Sequence, residues 1–143
     1  MRVVFDTNIV VSAMLSGGGA ARQVLRLCLR GALTPLVSGA LFAEYEAVLS
    51  RAPLLERSVL TGDERAALFD ALMSRSVWTP VYFLWRPNLP DPADDHIVEL
   101  ALAGGASWII SANLRDLTRG ELPIDPIRVG TAASFLEFWR TTQ

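Results

Sequence analysis

The sequence predicts an α/β fold whose mostly parallel sheet is covered by helices on both faces. Three observations carry this: short β-forming runs alternate with helical patterns along the whole chain, the runs are apolar throughout, and Gly or Pro punctuates them. With 143 residues the chain fits one domain over 1–143, large enough to bury about two-thirds of the surface it would expose unfolded. A hydrophobic fraction of 51% with 20% charged residues is that of a packed globule, not of a disordered segment.

Residues 3–5 form a β-branched and aromatic run that ends at Asp6, and Thr7 and Asn8 are helix-starting residues ahead of Ile9, Val10, Val11, Ala13 and Met14. Gly17, Gly18 and Gly19 break that helix. A second helix over 20–30 sets Val24, Leu25, Cys28 and Leu29 on one stripe and Arg22, Arg26 and Arg30 on another, and Gly31 stops it. Residues 34–38 read as a buried strand, with Ser38 placed to cap a helix through Leu41, Tyr45, Val48 and Leu49 to about Arg51. Residues 61–73 form another helix. The β-formers of 77–85 are confined by Pro80, Pro87 and Pro90 to a short or edge strand and a loop. Pro92 suits a helix start, and that helix runs to Ala103 before Gly104 and Gly105. Strands at 108–111 and 127–129 follow, then a helix over 132–140 that buries Phe135, Leu136 and Trp139.

What the chain lacks narrows its chemistry. All 13 basic residues are Arg, which removes Schiff-base lysines and phosphate loops of the GK[ST] type. A single histidine, His96, cannot build a paired-imidazole zinc centre, and no G-x-S-x-G elbow supplies a serine nucleophile. Cys28, alone among leucines, reads as a small core hydrophobe. The net charge of -2 argues against holding nucleic acid by bulk charge. No apolar stretch reaches the ~20 residues of a membrane span, and Asp6 interrupts the amino terminus before a secretory core can form. A cytoplasmic protein is therefore expected.

Carboxylates remain. In a parallel sheet, ligands bind outside the carboxyl ends of the strands, where Asp6 closes one strand and Asn113 and Asp116 follow another. A carboxylate at the end of a buried strand needs a helix amino end, a metal or an Arg; the plain alternative is a cap, which Thr7 or Asn8 can equally provide. Asp94 shares a helix face with Ile97, Val98 and Ala101, so it looks inward from the first turn. Asp95 flanks that stripe and Asp91 precedes it, as caps or supporting partners. Periodicity does not choose between Glu44 and Glu46. Acids gathered at one spot repel unless a cation is present, and oxygen ligands without thiolates suit Mg²⁺ or Mn²⁺. An aspartyl-phosphatase reading fails, because Asn8 stands where an acid is required and lysine is absent.

As a set, Phe5-Asp6-Thr7-Asn8-Ile9-Val10, the acidic helix around Glu44, Asp91-Pro92-Ala93-Asp94-Asp95 and Ile110-Ser111-Ala112-Asn113-Leu114-Arg115-Asp116 resemble the PIN-domain family over essentially the whole chain. The likeness is to its bacterial branch of VapC-like toxin ribonucleases. It implies a three-layer α/β/α sandwich and Mg²⁺- or Mn²⁺-dependent cleavage of single-stranded RNA by metal-activated water. It implies Asp6, Glu44 and Asp94 as the family's first three acids, thereby choosing Glu44 over Glu46. Asn113 stands where close relatives often carry Asp, and Asp116 matches the acid of a related N-x-x-D arrangement. Thr7, Asn8, Asp91, Asp95 and Asn113 are supporting candidates, and Arg115 or Arg119 would steady phosphates. A cognate antitoxin and a homodimer are implied partners. The alternative is a silent PIN-like module that binds RNA or protein without cleaving.

Overall fold

The computed structural model describes residues 1–51, 56–81, 95–112 and 127–142. Strand β1 (Arg2–Phe5) buries Val3, Val4 and Phe5 and turns directly into α1 (Thr7–Leu15). Thr7, Ile9, Val10, Val11, Ala13 and Met14 of α1 are all buried, so this helix is apolar nearly all round and lies inside the fold. Helix α2 (Ala20–Leu29) packs against it, and the arginine stripe read from the sequence has work there: Arg22 Nε donates to the Ala13 carbonyl at 2.6 Å and Arg26 Nη2 to Gly17 at 3.3 Å. Guanidinium groups at the free carbonyls of a helix's last turn and just beyond it complement its dipole.

The remaining elements are β2 (Thr34–Val37), α3 (Gly39–Leu49), α4 (Gly62–Arg75), β3 (Val77–Trp78), α5 (Asp95–Gly104), β4 (Trp108–Ile110), β5 (Arg128–Gly130) and α6 (Ala132–Thr141). Both α2 and α5 end on a glycine in the left-handed region, Gly31 at φ +82 and Gly105 at φ +67. In each case the next amide reaches back to the last turn, Ala32 to Leu27 and Ala106 to Ala101, both at 2.9 Å, which closes orphan carbonyls.

The sheet order is β3-β2-β1-β4-β5, and every described pairing is parallel. From β1 the chain steps outward to β2 and β3, then returns to the far side of β1 for β4 and β5. Right-handed crossovers put helices of the outward steps on one face and α5 of the return on the other. Accordingly α5 packs on β1, β2 and β4, whereas α6 packs on α2 and seats Phe135 edge-on against Trp108 at 5.2 Å. This is a three-layer α/β/α sandwich. The reversal of strand order falls between β1 and β4, whose register pairs Phe5 with Ile110.

Element ends differ slightly from expectation. Thr61 is the cap of α4 rather than its first residue, in a reciprocal box with Glu64, and the helix runs on to Arg75. The expected edge strand is two residues long, with Val77 and Trp78 exposed at the rim. The rest of that segment, 82–90, and the helix start at Pro92 lie outside the described residues. Cys28 is wholly buried, as its neighbours suggested, and burial pushes its thiol up to about 12. Among the described residues no helix is long and apolar enough to cross a membrane.

Candidate metal centre

The register of β1 and β4 brings one acid and one hydroxyl together. Asp6 continues the ladder beyond β1 by donating its amide to Ile110 at 2.9 Å, and Ser111 continues beyond β4 by donating to Gly130 at 3.0 Å. Their side chains meet at the reversal point: Ser111 Oγ donates to Asp6 Oδ2 at 2.7 Å. Asn8 Nδ2 donates to the same oxygen at 3.3 Å, and the Thr7 amide to Oδ1 at 2.8 Å. Asn8 in turn accepts the Ala112 amide on Oδ1 at 3.1 Å, tying the start of α1 to the segment after β4.

Asp6 is 7% exposed. It is the cap of α1, where Thr7 or Asn8 had seemed equally able to serve, because it alone stands before the first helical amide. Yet it bonds the Thr7 amide, whereas a cap ordinarily serves the second or third helical residue. Capping thus occupies one oxygen, and the other is fixed by groups from two elements. A carboxylate offers about four acceptor positions, and three are used here. Among the described residues no Arg pairs with it.

Helix α3 carries Glu44, the second candidate acid. Ser38 accepts the Leu41 amide at 3.2 Å as its cap, and buried Tyr45 donates to the Phe5 carbonyl at 2.6 Å, pinning the helix to the end of β1. Glu44 precedes that tyrosine. Burial first, then the negative charges of Asp6, Glu44 and Cys28, pushes the Tyr45 phenol well above its ordinary value, so both acids act on one hydroxyl. Glu46 points elsewhere, exposed, into a pocket of about 300 Å³ with Leu49, Arg65 and Phe69. The two glutamates that periodicity could not separate therefore lie in different surroundings.

His96, on the first turn of α5, puts Nε2 2.9 Å from Glu44 Oε2. At that distance the two groups make a close electrostatic approach. Oε2 and His96 Nδ1 are both buried and without a hydrogen-bond partner among the described residues. From sequence alone His96 enters only in excluding paired-imidazole zinc and a serine triad, Ser111 reads as a strand end and Tyr45 as core. The one signal available was the seat of Ser111 beside a predicted sheet edge.

The expectations on Asp91, Asp94, Asn113, Asp116, Arg115 and Arg119, and on the Asp95 side chain, fall outside the described residues. Among the described residues no three His, Cys, Asp or Glu side chains gather as a metal-holding group. Asp6 and Glu44 nonetheless fit a hard divalent cation: one is a buried, oriented carboxylate with acceptor capacity to spare, and the other has one oxygen buried against His96 and stays open on its far side.

A parallel sheet in this order, with an oriented acid at its reversal point, defines an α/β protein with a candidate ligand site at the switch. Residues 2–115 match the PIN domain, and the chain belongs to that family. No curated protein matches it by sequence. Among solved structures it is similar to a chain in the crystal structure of VapBC2 from Rickettsia felis bound to a DNA fragment from their promoter. That likeness has a TM-score of 0.60 and 18% identity, and covers 91% of this chain and 98% of that one. At such identity the likeness is one of fold.

Proposed function

We propose that this PIN-domain chain is an endoribonuclease that cleaves single-stranded RNA with the help of Mg²⁺ or Mn²⁺, and that it is the toxin of a toxin–antitoxin pair. The observation that carries the reading is Asp6: a buried carboxylate at the sheet's reversal point, oriented by Ser111, Asn8 and the Thr7 amide. A cap alone does not call for that many donors from that many elements.

Asp6, Glu44, Asp94 and Asp116 would hold the cation, with Thr7, Asn8, Asp91, Asp95 and Asn113 supporting them. A divalent ion there supplies activated water and offsets charge on the phosphodiester during in-line displacement. The chain's own part is orientation. Ser111 and Asn8 fix the Asp6 carboxylate plane, Tyr45 fixes α3 against β1, and the Asn8 to Ala112 bond holds the segment leading to Asn113 and Asp116. Likeness to the VapC-like branch supports the RNA substrate, an antitoxin partner and a homodimer.

A panel of labelled single-stranded RNAs with added Mn²⁺, run beside Asp94→Asn, tests this. Cleavage by the unaltered chain and its loss in the variant are expected; full activity in Asp94→Asn refutes the assignment. No cleavage, with no carboxylate-dependent Mn²⁺ uptake by calorimetry, makes the chain a silent binding module. A small reading frame beside the gene is the expected mark of the antitoxin.

A further inference from the structure

We propose that His96 is a positioning residue for Glu44: its imidazole engages one carboxylate oxygen so that the other is presented to the cation. The inference rests on the metal-centre reading above. Its ground is a pair of facing groups from two helices, Glu44 on α3 and His96 on α5, with Nε2 2.9 Å from Oε2.

Exposure gives the pair a direction. The His96 side chain is 11% exposed and that of Glu44 36%, while Glu44 Oε2 itself is buried. The histidine is nearly buried, at the edge of a pocket it lines with Ser38, Thr79 and Val81, and the glutamate is shut off on its histidine side and open on the other. A Glu carboxylate turns easily about its last torsion, so it adjusts to the imidazole without moving either helix.

Asp6 is built the same way. Ser111, from beyond β4, holds Oδ2 of an acid that stands at the end of β1. Each candidate acid thus has a partner from a different element set against one oxygen, leaving capacity for a ligand. Carboxylates that bind metals are regularly steered by such partners, and losing one weakens metal affinity about 10–100-fold.

The test is Mn²⁺ calorimetry on the full chain, with thermal melting recorded beside it, for the unaltered protein, His96→Leu and His96→Gln. His96→Leu keeps bulk without a donor, and His96→Gln puts an amide N–H near the place of Nε2. We expect Mn²⁺ affinity to fall about 10–100-fold in His96→Leu and to recover largely in His96→Gln, a rescue that a merely space-filling histidine does not produce. An unaltered chain that binds no Mn²⁺ overturns the metal-centre reading and this inference together. Binding by the unaltered chain with equal affinity in His96→Leu overturns the inference alone, as does loss without rescue by Gln. Should His96→Leu fail to fold, His96→Gln is compared with His96→Asn, whose shorter amide falls short of Oε2; equal affinities overturn the assignment.

Discussion

The Ser111 hydroxyl donates to Asp6 Oδ2 at 2.7 Å, joining residues 105 positions apart where the sheet reverses its strand order. Both groups are buried, so this bond does two things at once. It satisfies an acid in a place with little water, and it sets the plane in which that acid offers its remaining lone pair.

Ser111→Ala should accordingly damage both stability and site. Hydrogen bonds to charged groups contribute about 1.5–3 kcal/mol, and a loss of that order is expected in urea unfolding. Mn²⁺ affinity should fall about 10-fold or more as the carboxylate loses its steering. An unchanged Mn²⁺ isotherm would show that Asn8 and the Thr7 amide suffice.

Asp6→Asn separates the two roles. The shape is kept, but whichever way the new amide turns, its NH2 faces a donor, the Thr7 amide on one side or Ser111 and Asn8 on the other, so the melting temperature should fall by a few degrees. Mn²⁺-dependent RNA cleavage should vanish. A variant that loses several degrees and keeps its cleavage would make Asp6 a structural cap.

Tyr45→Phe removes the donor to the Phe5 carbonyl with almost no change in packing. The expected cost is about 1 kcal/mol or somewhat more, because the buried carbonyl is left unpaired. The pH dependence is the sharper signature. The folded phenol is raised by burial and by Asp6 and Glu44, whereas the unfolded one ionises near ~10. The unfolded state therefore releases a proton that the folded state keeps. The stability contributed by Tyr45 is complete below ~10 and falls as pH rises beyond it. Urea midpoints should drop more steeply above that pH in the unaltered chain than in Tyr45→Phe; parallel curves would contradict the account.

Cys28 should be inert in the native state. With its thiol at about 12 and no exposed surface, it holds almost no thiolate at pH 8 and has no path to reagent. Alkylation followed by mass spectrometry should show modification only at denaturant concentrations that unfold the chain. Rapid native labelling would mean that α2 opens locally.

Local patterns carried most of the fold. The β-branched runs located the strands, the stripe of Val24, Leu25 and Cys28 located a buried helix face, and Pro80 announced an edge strand. Caps were less legible, because Asp6, Thr7 and Asn8 are all acceptable at a helix start and only the ladder to Ile110 decides which residue stands there. Tyr45 sits on the apolar stripe of α3 and looked like core. It is core, and its hydroxyl finds the Phe5 carbonyl 40 residues away, which no local window displays. The same holds for the Ser111 to Asp6 bond and the approach of His96 to Glu44, both made by sheet order and helix packing. Periodicity supplied candidates for the site; separating Glu44 from Glu46 took the family resemblance, and tertiary packing sets the two in different surroundings.

The central claim is that folding gathers these distant acids around one divalent cation. The most direct measurement is the anomalous scattering of a crystal soaked in Mn²⁺. The account predicts a peak with oxygens of Asp6, Glu44 and Asp94 around it, directly coordinated at about 2 Å or through one water. No peak, or a peak at which Asp6 and Glu44 turn away from each other with Ser111 still bonded to Asp6, would contradict it.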